Sequence, residues 1–171
     1  MARLIKNRQL AENTVRHLGV DDALPGSDVT VPLARWQAER EQLRFYPHRV
    51  GVRLAPDEDP EVLIHDLAHL DLIAVEFPAF TDGRAYSQAR LLRDRHGYQG
   101  EIRALGEVLR DQLQFMARCG IDAFELAPNE SPEAALGMFQ QIDIHYQPAA
   151  DGHAPVWQQR RLATQRRLLR P

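Results

Sequence analysis

The chain has 171 residues, 44% of them hydrophobic and 26% charged, with a formal net charge of −3. That length suits one domain with a buried core, and the balance of residues excludes a disordered chain or a fibrous repeat. A net-negative molecule has no overall electrostatic reason to seek nucleic acid, and a single cysteine, Cys119, forms no internal disulfide.

The N-terminal stretch Met1–Arg8 lacks the continuous apolar run of a secretory signal. The longest apolar stretch, Leu72–Phe80, is interrupted by Glu76 and Pro78. It falls short of the ~20 residues that cross a bilayer. The expectation is a cytoplasmic protein with no membrane partner.

Residues 1–28 carry turn signals and close on Pro25-Gly26-Ser27-Asp28, while Leu4-Ile5 and Leu10 suit a short hairpin. This segment reads as an N-terminal extension or hairpin. From Val29 onward, short β-branched or apolar runs alternate with segments of helical period. Strands are predicted at 28–33, 49–54, 72–77, 100–106, 122–126 and 142–146. Between them, residues 34–45 read as a helix with Trp36, Arg40 and Leu43 at helical spacings. A second helix starts at Pro60, capped by Asp59, with Leu63, Leu67 and Leu70 on one face. Further helices run to Arg95 before His96-Gly97, from Val108 to Arg118 before Gly120, and onward from Ser131-Pro132-Glu133.

The alternation predicts an α/β domain over 29–147, built from repeating βα units around a mainly parallel sheet. The sheet is either open and doubly wound or an incomplete (β/α) barrel, since eight units do not fit in this length. The nearly continuous apolar run 72–77 reads as a strand covered on both faces. Residues 148–171 form a basic C-terminal tail, a frayed helix or a disordered arm, carrying Arg160, Arg161, Arg166, Arg167 and Arg170. Without those five charges the net charge of −3 becomes −8.

Several ordered motifs lie between Ile73 and Leu126. They are Ala74-Val75-Glu76-Phe77-Pro78, Thr81-Asp82-Gly83-Arg84-Ala85-Tyr86-Ser87 and Ala89-Arg90-Leu91-Leu92-Arg93, then Gly97-Tyr98, Gly100-Glu101, Arg103-Ala104, Asp111-Gln112 and Arg118-Cys119-Gly120. Together they resemble a bacterial family of unknown function, common in proteobacteria and sometimes labelled oxidoreductase. The resemblance extends more loosely over 29–146, including Leu33-Ala34-Arg35-Trp36, and leaves the tail after Pro148 outside.

Genes of that family lie beside those for assimilatory sulfite or nitrite reductase and phosphoadenylylsulfate reductase. The resemblance therefore implies an accessory protein of assimilatory sulfur metabolism, one that binds the sulfite reductase haemoprotein and supports its assembly, stability or electron supply. The alternative is a small enzyme acting on an anionic sulfur-pathway metabolite. No catalytic residue and no cofactor is carried over with the resemblance.

In parallel α/β folds, ligands sit outside the carboxyl ends of the strands. That rule selects Thr81, Asp82, Gly83, Arg84, Tyr86 and Ser87 as an anion- or ligand-binding turn. A helix N-terminus offers unpaired N–H groups, Arg84 a planar cationic fork, and Gly83 a close backbone approach. Against this stands a plainer reading, in which Thr81 or Asp82 caps the helix and Arg84 pairs with a neighbouring acid.

Glu76 and Arg103 lie within apolar strands and are expected to pair across them, a structural ion pair that with Gln112 could also support a ligand site. Asp111 and Gln112 on the following helix can reach the strand ends, with ordinary solvation the plainer reading. Glu107 and Glu125 are further charges at or after strands. Cys119, at a helix C-terminus, is expected to be a small buried residue rather than a reactive thiolate. His65 and His69 have the i, i+4 spacing of metal ligands. Asp66 stands where the zinc-protease pattern needs Glu and no third ligand is near, so no metal is expected. Neither a glycine-rich phosphate loop nor a nucleophile elbow is present. A third class of function, nucleic-acid binding, would have to reside in the basic tail alone.

Overall fold

The computed structural model describes residues 4–142 and 144–168. Among them the chain forms eight strands: β1 (Leu4–Lys6), β2 (Gln9–Ala11), β3 (Arg16–His17), β4 (Val29–Pro32), β5 (Val50–Leu54), β6 (Leu72–Phe77), β7 (Glu101–Gly106) and β8 (Ala123–Glu125). The α-helices among the same residues are α1 (Leu33–Arg44), α2 (Arg84–Arg90), α3 (Leu113–Arg118), α4 (Pro132–Met138) and α5 (Val156–Leu168).

Strands β4 to β8 are parallel and adjacent in chain order, within one sheet of order β2-β1-β8-β7-β6-β5-β4-β3. A doubly wound sheet needs a reversal of strand order, which these strands do not have. With right-handed crossovers and no reversal, every connection falls on the same face. The sheet accordingly curls into a half-barrel, mostly parallel but with antiparallel pairing where β1 meets β2 and β8.

Residues 4–17 supply both edges of this sheet, hairpin β1–β2 beside β8 and β3 beside β4. Curling brings the edges together, so that His17 on β3 lies 3.0 Å from Glu125 on β8. That contact joins different hydrogen-bond rows, as tilted barrel strands require.

The side chains of each strand divide between two faces. Val31, Val52, Ile73, Val75, Ile102 and Phe124 point outward into the main core, where Trp36, Leu63, Ala89, Leu92 and Met116 cover them. Burying each such side chain contributes roughly 1.5–3 kcal/mol. Inward-facing Leu4, Leu72, Ala74, Leu105 and Ala123 are also buried but belong to the concave side. Strand β6 is thus covered on both faces through Ala74, and only Glu76 is half-exposed.

Three predicted elements differ, one of them the helix expected from Val108 to Arg118, which is a 3-10 turn at Arg110–Gln112 followed by the short α3. The helix expected from Pro60 is two 3-10 segments, Pro60–Leu63 and Leu67–His69. Asp59 caps the first as expected, accepting from the Glu61 N–H at 2.9 Å. The break comes at Asp66, which falls on the same face as the inward leucines. Its wholly buried carboxylate accepts from Trp36 Nε1 at 3.0 Å and pairs with Arg40 at 3.1 Å and Arg44 at 2.5 Å. His65 and His69, which the helix would have aligned, are both exposed.

No strand forms at 142 or 144–146, because the free edge of β8 is taken by β1. Asp143 of that predicted strand lies outside the described residues, as does Arg170. The basic tail is helical from Val156 to Leu168. No helix among the described residues is long and apolar enough to cross a membrane.

Candidate functional site

The concave face of the half-barrel carries charge where an ordinary barrel interior carries aliphatic side chains. Arg103 on β7 is its centre, 2% exposed and flanked in register by Ala74 on β6 and Ala123 on β8. Two alanines leave the lateral room that a guanidinium needs. One strand further on, Gly51 leaves room for its register partner Leu72, since a Cβ there would come within 2.7 Å of Leu72 Cγ.

Arg103 donates from Nε to Glu101 at 2.6 Å, and from Nη1 to Glu125 at 2.8 Å and to Asn13 Oδ1 at 2.9 Å. Lys6 on β1 sits 2.6 Å from the other oxygen of Glu101. Glu125 in turn meets His17 Nε2 at 3.0 and 3.1 Å, and His17 Nδ1 lies 2.6 Å from Thr30 Oγ1. On the neighbouring strand Arg53 donates to Glu76 at 3.1 Å and to the Leu18 carbonyl at 2.8 Å.

Charges taken out of water are costly unless paired and hydrogen-bonded, and here each has a partner. Burial pushes the Glu101 carboxyl upward, but Lys6 and Arg103 outweigh it and hold the group below its ordinary value. For Glu125, burial likewise raises, and the hydrogen bond and charge of His17 together with Arg103 bring it below. Water reaches the margins of this network and not its centre, as side-chain exposure rises from 3% at Arg103 to 30% at His17, 37% at Lys6 and 38% at Glu76.

The Thr30–His17–Glu125 row has the connectivity of a hydroxyl–imidazole–carboxylate relay. Thr30 is wholly buried, so its hydroxyl meets no substrate. Nε2 meets Glu125 and Nδ1 meets the Thr30 hydroxyl, and the two contacts together fix the ring. Among the described residues no group of three or more His, Cys, Asp or Glu is arranged to hold a metal ion.

Residues 51–157 match a bacterial family of unknown function, DUF934. The chain belongs to that family. No curated protein matches it. The DUF934 span begins inside β5, so it leaves out the Leu33–Trp36 motif, and it continues past Pro148 into the first turn of α5. Arg53, Glu76, Glu101, Arg103 and Glu125 therefore lie within the DUF934 span, whereas Lys6, Asn13, His17 and Thr30 precede it.

The turn that sequence singled out, Thr81–Ser87, follows the carboxyl end of β6. Thr81, Gly83, Arg84 and Ser87 are exposed, and Asp82 and Tyr86 partly buried. Asp82 Oδ1 accepts from the Arg84 backbone N–H at 3.2 Å and from its Nε at 3.0 Å, while Oδ2 accepts from Nη2 at 2.7 Å. These bonds hold the Asp82 carboxyl below and the Arg84 guanidinium above their ordinary values, and the charge of Asp57 acts on Arg84 in the same direction. An incoming anion must therefore displace Asp82. Helix α2 has seven residues and no side-chain cap, so its dipole adds little.

Tyr86 packs between Phe77 and Phe115, with ring centroids 5.1 and 5.0 Å away, and burial pushes its hydroxyl up to about 12. Gln112 stands just before α3, its Oε1 buried without a partner. Asp111 beside it is exposed. Cys119 is buried at the end of α3, and burial pushes its thiol up.

The expected Glu76–Arg103 pair does not form. Register sets Arg103 opposite Ala74 and Glu76 opposite Leu105, so each takes a different partner. Sequence reading passed over Lys6, Asn13, His17, Thr30, Arg53 and Glu101. One signal could have found several of them. Glu101-Ile102-Arg103 on β7 and Val52-Arg53-Leu54 on β5, the strands on either side of β6, alternate charged and apolar residues, the period-two mark of a charged face.

Proposed function

We propose that this chain is an accessory protein of assimilatory sulfite reduction that binds the sulfite reductase haemoprotein and supports its assembly, stability or electron supply. The observation that carries the binding half is helix α5. Arg160 and Arg161 are exposed on it, the helix holds no acid, and neither arginine has an ion-pair partner among the described residues. Unmatched charge set against a net-negative remainder steers a complementary partner and aligns it on arrival. The charges of the half-barrel interior, by contrast, are spent on one another. The pathway half rests on the gene company that the family resemblance implies.

Co-purification of the tagged full chain with the sulfite reductase haemoprotein tests the proposal. Retention is expected at low ionic strength, weakening as added salt screens the arginines. A clean failure at low salt overturns it.

A second reading, an enzyme acting on an anionic sulfur metabolite at Asp82 and Arg84, draws support from a strand-end position and an Arg84 side chain 60% exposed. Thermal-shift measurement with sulfite, sulfate and phosphorylated metabolites tests it. Stabilisation that disappears in Arg84→Ala supports this reading, and no response across the panel removes it.

A further inference from the structure

The segment after α4 presents large apolar side chains to water although its backbone is tied down. Ile142 is 56% exposed, Ile144 64%, Tyr146 75%, and Trp157 in the first turn of α5 50%. Gln114 of α3 donates to the Ile142 carbonyl at 2.5 Å, and Arg118 of α3 to the Gln147 carbonyl at 2.7 Å. The Val156 N–H donates to the His145 carbonyl at 2.8 Å. The strap, Ile142 together with 144–147, is thus fastened to α3 through the Ile142 and Gln147 carbonyls and to the start of α5 through the His145 carbonyl, so the four exposed side chains stand on neighbouring, tied-down stretches of chain. Apolar patches left in solvent on a folded chain mark contact surfaces.

What covers the patch is constrained by its border. Arg160 and Arg161 stand in solvent one turn beyond Trp157, on a helix without acids. Aromatic and aliphatic side chains bordered by arginines have the composition of a protein interface, an apolar centre with a charged rim. A lipid surface fits less well. Membrane-bound helices carry a continuous apolar face of their own, whereas Gln158, Gln159, Thr164 and Gln165 interrupt α5 and most of the apolar area comes from the strap.

We propose that Ile142, Ile144, Tyr146 and Trp157, with Arg160 and Arg161, are the docking face for an acidic protein surface that has an apolar centre. This rests on the accessory-protein reading above and names the surface that serves it. Arginines set the encounter rate and the apolar centre sets the lifetime of the complex.

The test is binding of the purified sulfite reductase haemoprotein to the immobilised full chain, with light scattering of the chain alone and flotation with anionic phosphatidylserine vesicles. Ile144→Ser/Tyr146→Ser is expected to raise the dissociation rate at least about tenfold, two lost contacts of this size being worth that factor. Arg160→Glu/Arg161→Glu is expected to slow association and flatten its salt dependence. Phe45→Ser, at the most exposed large apolar side chain among the described residues, 88%, is expected to change neither rate. Wild-type binding unaffected by Ile144→Ser/Tyr146→Ser overturns this docking face and leaves the accessory role standing. No wild-type binding at low salt overturns both. A wild-type dimer abolished by the same variant assigns the patch to a second copy, and flotation abolished by it assigns the patch to lipid; either result overturns the acidic protein partner.

Discussion

Two arginines make the same kind of bond in this molecule and mean different things. Arg103 and Arg84 each meet carboxylate oxygens at hydrogen-bond distance, yet the first is 3% exposed and the second 60%. Around Arg103 the low dielectric makes an unmatched charge costly, so Glu101, Glu125 and Asn13 are drawn in from β7, β8 and the N-terminal segment. Around Arg84 water does most of that work, and the partner is its own neighbour Asp82, two residues away. Interior pairing ties distant parts of the chain together; rim pairing ties a turn to itself. Stability should therefore depend on the first arginine and be nearly indifferent to the second.

The sharpest way to break the comparison is Arg103→Met. Removing one member of a buried ion network costs about 3–5 kcal/mol. The low end is expected here, because Lys6 still neighbours Glu101 and His17 still neighbours Glu125. Urea unfolding would measure it. The triple variant Glu101→Leu/Arg103→Met/Glu125→Leu should recover most of the loss, since it leaves no carboxylate stranded.

Acid separates the regions next. Glu101 and Glu125 are held below their ordinary value in the folded chain. Groups of this kind contribute stability above the unfolded value of about 4.3, and that contribution is lost as pH falls through the folded values. Unfolding free energy should hold steady from pH 7 to about 5 and fall below about pH 4. Arg103→Met removes one counterweight to burial, so both carboxyls rise. Its deficit against wild type should be full at pH 7 and narrow on acidification. A deficit independent of pH would mean that Arg103 acts through packing alone.

Gly106, where β7 leaves the interior for the rim, gives a smaller effect. Its φ is +98°, and a Cβ there would strike the Phe77 carbonyl oxygen. Gly106→Ala is expected to cost roughly 1–3 kcal/mol through backbone strain. Thermal unfolding checks it, and an unchanged midpoint would show that the strand end relaxes freely.

Much of the outer architecture was legible because burial on the convex face imposes period. Val29–Pro32, Val50–Leu54 and Leu72–Phe77 are apolar runs bounded by turn residues, and they are strands. The concave face was less legible for a physical reason. Its charges lie far apart in the chain, with His17 and Glu125 separated by 108 positions, and only curling of the sheet brings them together. Asp66 misled in the same way, its purpose being fixed by Trp36 and Arg44 rather than by its neighbours. The Thr81–Ser87 turn was visible because strand-end rules are local, but sequence left open whether Arg84 serves a ligand or pairs with a neighbouring acid, and it pairs with Asp82.

The smallest expected effect tests that last point. Arg84→Ala removes an exposed guanidinium whose bonds run to its own turn, so the unfolding midpoint should not move. Half-molar sodium chloride should leave the comparison unchanged, because screening weakens an exposed pair and spares a buried one. A destabilisation approaching that of Arg103→Met would mean that the Asp82–Arg84 pair fastens the β6–α2 connection to the rest of the rim. It would also mean that the two arginines differ in exposure without differing in structural weight, and burial would no longer be the variable that sorts them.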